Sequence, residues 1–125
     1  MKFVNSPWIE EIPGVPKTPA KNGTVDRDND WARALRAIMD GYRGHSQGHV
    51  RANLQIWLNE NEPNDRDVDN MAKSVLDLLE WKDLATGKST GVLHDDGDVV
   101  DLHILKKRGV KRSSCVKIRL EWGRP

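Results

Sequence analysis

The densest group of chemically capable side chains in this 125-residue chain is Asp65-Arg66-Asp67-Val68-Asp69-Asn70-Met71-Ala72-Lys73. Carboxylates alternate at Asp65, Asp67 and Asp69, an asparagine follows, and a lysine stands one helical turn after the last aspartate. Two unit charges ~5 Å apart at an effective dielectric of ~20 repel by roughly 3 kcal/mol, so three such pairs approach ~10 kcal/mol. That is comparable to the whole stability of a domain. Such a cluster holds a cation, raises a pKa, or stays apart in solvent as a hydrated helix cap. A calcium loop of the EF-hand kind is excluded, because counting from Asp65 the glycine and bidentate glutamate positions hold Asn70 and Leu76.

A second acidic pair, Asp95-Asp96, is followed by Gly97 and Asp98. It precedes an apolar alternation that reads as a strand, whereas Asp67 and Asp69 follow one. If those two strands are neighbours, the four carboxylates are expected to converge at one end of the sheet. With Lys73 one turn into the helix, this is a magnesium constellation: Mg²⁺ takes a few carboxylates, keeps waters, and meets substrate phosphate through its open positions. His45 and His49 also have ligand spacing, but in a glycine-rich turn they read as solvent-exposed.

The elements that must position these groups follow from periodicity. Residues 1–24 form a proline-rich arm in which Pro7, Pro13, Pro16 and Pro19 exclude a helix. Phe3, Trp8, Ile9 and Val15 can pin it to the core as an edge strand. Trp31, Ala34, Leu35, Ile38, Met39 and Tyr42 lie on one helical face, which predicts a helix over 30–42 with its N-cap among Asp28, Asn29 and Asp30. Residues 50–58 alternate strictly and predict a half-buried strand. Met71, Ala72, Val75, Leu76, Leu78 and Leu79 predict a second helix ending near Trp81, with Asp69 as N-cap. Residues 82–91 read as a loop without a core of its own. Two further strands follow, carried by Val100, Leu102 and Ile104 and by Val116, Ile118, Leu120 and Trp122. The expected fold is α+β: a single domain over 1–125, with two helices packed on one face of a small mixed sheet.

Charged residues make up 31% of the chain and apolar residues 37%, as in ordinary soluble domains. No apolar run is long enough to span a membrane. Cys115 is the only cysteine, which rules out an intrachain disulfide and a cysteine-rich zinc site; together these features predict a cytoplasmic protein. The net charge of +1 points to no partner, but its distribution does. Residues 60–69 are acidic, while Lys106, Lys107, Arg108, Lys111 and Arg112 crowd a connection between two strands. A basic hairpin beside an acidic site suits a metal-dependent enzyme acting on a polyanion. A basic loop that is merely soluble is the alternative.

Asp67-Val68-Asp69-Asn70-Met71-Ala72-Lys73, then Asp77, then Asp95-Asp96-Gly97-Asp98-Val99-Val100-Asp101, resembles the RusA family of Holliday junction resolvases. The similarity is best over residues 51–106, and Pro16-Lys17-Thr18-Pro19 is similar to the proline-rich opening of family members. The resemblance implies a RusA-like fold, with Asp67, Asp69 and Asp96 as ligands of Mg²⁺ or Mn²⁺ and Lys73 as a catalytic residue. It further implies a homodimer that makes paired nicks in four-way junction DNA during recombination and repair. Phosphate contacts are expected from Lys106, Lys107, Arg108, Lys111 and Arg112. Two departures stand out: the link from Leu79 to Asp95 is longer than in the family, and Glu62-Pro63-Asn64 lacks an aromatic wedge. The competing functions are a non-catalytic dimeric DNA-binding protein and an interaction module whose acids only cap a helix.

Overall fold

A computed structural model describes residues 2–3, 7–17, 26–42 and 48–124. The element order is β1 (Lys2–Phe3), β2 (Trp8–Pro13), α1 (Asp30–Asp40), β3 (Val50–Asn59), α2 (Val68–Glu80), a short 3₁₀ turn (Asp96–Asp98), β4 (Val99–Val110) and β5 (Cys115–Arg124). This is the expected α+β class. The central strands run in the order β5-β3-β4, with β1 and β2 both pairing along the outer side of β5. The β5 pairings are antiparallel, and β3 and β4 are parallel.

Alternation sorts the side chains. Val50, Ala52, Leu54, Ile56 and Leu58 of β3 and Val116, Ile118, Leu120 and Trp122 of β5 are buried beneath the two helices. Trp31, Ala32, Leu35 and Met39 of α1, and Met71, Ala72, Val75, Leu78 and Leu79 of α2, close the core from the other side. The arm is tied down as expected, since Trp8 pairs with Leu120 and Pro13 with Cys115. Trp8, Ile12 and Val15 enter the core, while Ile9 points to the open face and is 56% exposed. Thr18, Pro19, Lys21, Gly44 and His45 lie outside the described residues.

Asn29 caps α1, accepting a 3.0 Å hydrogen bond from the Ala32 N–H. The expected cap of α2 is corrected. Asp67 takes the N-cap position without a side-chain cap bond, and Asp69 lies inside the first turn. Its acidic charge there still complements the positive end of the helix. Trp81 ends α2 in the left-handed region at φ 43°.

The segment 82–91 is more than a solvated loop. It folds back on the open end of α2: the amides of Thr90 and Gly91 donate to Glu80 O at 3.1 and 2.9 Å, and Leu93 N–H donates to Leu79 O at 3.1 Å. Ser89 Oγ lies 2.8 Å from Glu80 O and 2.6 Å from Leu93 O, its one hydroxyl proton shared between the two carbonyls. These bonds satisfy helix-end carbonyls that otherwise need water. The approach is so close that a Cβ on Gly91 would lie 1.9 Å from Leu79 O. Val92 and Leu93 are then buried, and the chain emerges with Asp95 and Asp96 beside the end of α2.

The basic connection is also shorter than expected. β4 continues to Val110, so Lys106, Lys107 and Arg108 are strand residues; only 111–114 turn toward β5.

Candidate metal centre

Asp69, Lys73, Asp77 and Glu80 form a polar stripe along one flank of α2, at successive helical-turn spacings. The stripe has an acidic group at each end, and the structure keeps the two ends apart.

At its far end, Glu80, Asp95 and Asp96 bring one carboxylate oxygen each to within 4.8 Å of one another. Glu80 is 2% exposed, and its Oε1 accepts a 2.6 Å hydrogen bond from the Asp96 N–H. Lys82 Nζ stands 3.3 Å from its other oxygen. Burial pushes the Glu80 carboxyl above its ordinary range; the hydrogen bond from the Asp96 N–H and the charge of Lys82 oppose that shift, and the charge of Asp96 adds to it. Asp77 is raised as well, by burial first; the charges of Lys73 and Lys82 oppose that shift and Asp96 adds to it. Asp95 is lowered, chiefly because its carboxylate accepts the Gly97 N–H. Three oxygen donors, one of them enclosed where burial disfavours its charged form, fit a hard divalent cation. A cation there would let Glu80 ionise without the burial cost.

At the near end, Asp67 and Asp69 are exposed and line an open depression with Ile104, Lys106 and Arg108. They do not join Asp95 and Asp96 in one chain, which corrects the expected convergence. The strands are indeed neighbours, but parallel: Val50 lies beside Val99 and Asn59 beside Val110. The residues that follow β3 and those that precede β4 therefore stand at opposite ends of the sheet. Along α2, Asp69 and Glu80 are separated by about 16 Å at 1.5 Å per residue. Lys73 stands between them, about 6 Å along the helix from Asp69.

Sequence reasoning missed Glu80. The signal was present in its spacing, three residues after Asp77 on the same flank, but a buried glutamate at a helix end reads as a surface residue until the returning loop is seen. His49 does not join a metal-holding group among the described residues.

The basic residues divide. Lys106 is only 12% exposed; its ammonium lies 2.6 Å from Asp65 and also bonds Arg66 O. Arg108 pairs with the same carboxylate at 2.7 Å. Asp65 is lowered by these partners, Lys106 foremost, so Asp65 and Lys106 form an internal brace that steadies the entrance to α2. Lys111 reaches Glu60 at 3.0 Å. Among the described residues, Lys107 and Arg112 have no carboxylate partner; both lie against Trp57.

No protein-family model matches this chain, and no curated protein matches it. Among the described residues no helix is long and apolar enough to cross a membrane.

Proposed function

We propose that the protein is a divalent-metal-dependent DNA endonuclease that resolves four-way junctions by paired nicks, acting as a homodimer. The observation that carries this reading is the Glu80–Asp95–Asp96 cluster, a ready cation site formed by the same Asp-Asp segment that carries the RusA resemblance.

The separation of the two acidic groups has a natural resolution in a dimer. β4 is a free sheet edge among the described residues, and Val100 and Leu102 on its helix-side face are 53% and 42% exposed. An exposed apolar edge invites strand pairing. In an antiparallel two-fold pair centred on Leu102, Val100 meets Ile104 and Asp101 meets His103, so apolar faces apolar and acid faces imidazole. Centring the pair on His103 instead sets Val100 against Lys106. The Leu102-centred register also brings Asp96 of one subunit opposite Arg108 of the other, at the depression holding Asp67 and Asp69. Two composite acidic sites result, related by the two-fold axis, as matched nicks on two strands require.

Magnesium or manganese held there supplies Lewis-acid activation of water and charge stabilisation on phosphate. The chain's own residues do the rest. Asp67, Asp69 and Asp96 bind the cation, with Glu80 as an enclosed fourth carboxylate. Lys73, exposed one turn beyond Asp69, offsets charge on the scissile phosphate or its leaving oxygen. Water adds to phosphorus and one P–O ester bond breaks, giving a phosphate monoester and a hydroxyl. Lys107, Lys111 and Arg112 position phosphates without reading bases.

The test is cleavage of a labelled synthetic four-way junction and a matched linear duplex, with and without Mg²⁺. Paired nicks confined to the junction and dependent on metal are expected. Asp67→Asn, Asp69→Asn and Asp96→Asn should each abolish nicking while junction binding survives. Junction binding with no cleavage under any divalent metal would leave the non-catalytic reading in its place.

A further inference from the structure

The face of the sheet opposite the helices carries a second feature, which none of the acidic chemistry uses. Arg51, Asn53, Gln55 and Trp57 of β3 point to this face, flanked in register by Asp101, His103, Leu105 and Lys107 of β4. On the other side stand Lys117, Arg119 and Glu121 of β5. At the lower end the charges cancel: Asp101 pairs with Arg51 and His103, and Glu121 with Arg119. At the upper end they do not. Lys107, Arg112 and Lys117 place their cationic groups 5.2, 4.8 and 5.3 Å from the centre of the Trp57 ring. Among the described residues these three cations have one carboxylate partner, Glu11, 4.0 Å from Lys117. Beside the indole is a shallow depression of about 240 Å³, floored by the amides of Asn53 and Gln55 and rimmed by Ile9, Lys117 and Arg119.

We infer that this open face binds single-stranded nucleic acid. Three like charges gathered on one partly exposed indole repel one another unless an anion lies between them, and a chain of phosphates neutralises all three at once. Cation–π contacts at exposed sites are weak beside charge-assisted bonds to phosphate. Arriving phosphates therefore draw the cationic heads off the ring and bare the indole for a base to stack on. The neighbouring base enters the depression, where the Asn53 and Gln55 amides meet polar groups on its edge and Ile9 its apolar flank. A duplex cannot use this arrangement, because its bases are already stacked and paired. The inference shares Lys107 and Arg112 with the phosphate contacts proposed above but no metal-holding residue, so it is read out without metal and apart from cleavage.

The experiment is fluorescence anisotropy with a dye-labelled oligothymidylate of about 12 nucleotides, run in EDTA on the full chain between about 50 and 200 mM salt, with a duplex of equal length alongside. Trp57→Leu should raise the single-strand Kd roughly 5- to 150-fold and leave its salt dependence unchanged. Lys117→Ala should lower the slope of log affinity against log salt by about 0.7. An unchanged Kd in folded Trp57→Leu overturns the inference, and so does an equal loss for duplex and single strand. Should Trp57→Leu fail to fold, charge reversal at the exposed Arg112 must weaken single-strand binding at least tenfold, to the order expected when a bound phosphate meets a like charge; no change there overturns the inference equally.

Discussion

Glu80→Gln separates the cation-holding role of the acidic cluster from its part in the fold. The substitution keeps the side chain's shape and an oxygen for the Asp96 N–H, which lies 2.6 Å away. It deletes one of the three converging carboxylates. Because burial raises the Glu80 carboxyl, the folded state holds its proton more tightly than the unfolded chain does. The stability linked to that proton is complete below the unfolded value of about 4.3 and is lost as pH rises through the folded value. At neutral pH without metal, an ionised Glu80 is thus a cost, and Glu80→Gln should be at least as stable as the wild type. Divalent cation should reverse the order. A ligand that binds only the folded state at a hundred times its Kd stabilises by about 2.7 kcal/mol, or roughly 8–13 °C in Tm for a chain of this length. If losing the carboxylate weakens binding a hundredfold, the same metal concentration adds only about 0.4 kcal/mol. Thermal unfolding at pH 7, in EDTA and in Mg²⁺ or Mn²⁺, reads both halves. A metal-dependent rise of equal size in wild type and Glu80→Gln would refute the assignment, as would no rise in the wild type.

Three further outcomes follow from the geometry. Gly91→Ala drives a methyl to within 1.9 Å of Leu79 O, so it should cost about 2–3 kcal/mol and, by displacing Asp95 and Asp96, also remove the metal-dependent rise in Tm. Asp65→Asn strips Lys106 of its carboxylate partner and should cost about 1–2 kcal/mol at neutral pH. Because the Asp65 carboxyl is depressed, that difference is present above the unfolded value of about 3.9 and should vanish in pH-resolved unfolding as pH falls through the folded value. Leu102→Lys sets two ammonium groups against each other across the proposed two-fold axis. Light scattering should fall from about twice the 14.2 kDa chain mass to one chain mass, and a variant that stays dimeric would move the interface elsewhere.

The fold was largely legible because its elements are written in clean periods. The alternation from Val50 to Leu58 and the helical face from Trp31 to Tyr42 leave little freedom in what must be buried. The site was legible as residue types but not as an arrangement. Whether Asp67 and Asp96 meet depends on the direction in which β4 runs beside β3, and side-chain alternation is the same for parallel and antiparallel pairs. Glu80 was hidden for a related reason: its burial comes from the return of residues 89–93, held by backbone bonds and the close approach at Gly91. Likewise five bases in seven residues suggested an exposed hairpin, because sequence shows charge but not pairing; Asp65 draws Lys106 into the structure and pairs with Arg108 at the surface.

The central claim, a metal-dependent nuclease whose acidic sites span two subunits, is tested most directly by mixing two inactive variants. Asp69→Asn and Asp96→Asn, each alone, should fail to nick a four-way junction in Mg²⁺. Co-refolded together, they form heterodimers in which one composite site carries both substitutions and the other neither. Nicking should return in the mixture, on one strand per junction. If each subunit held a complete site of its own, every site in the mixture would still lack a carboxylate, and persistent inactivity of well-formed heterodimers would contradict the account.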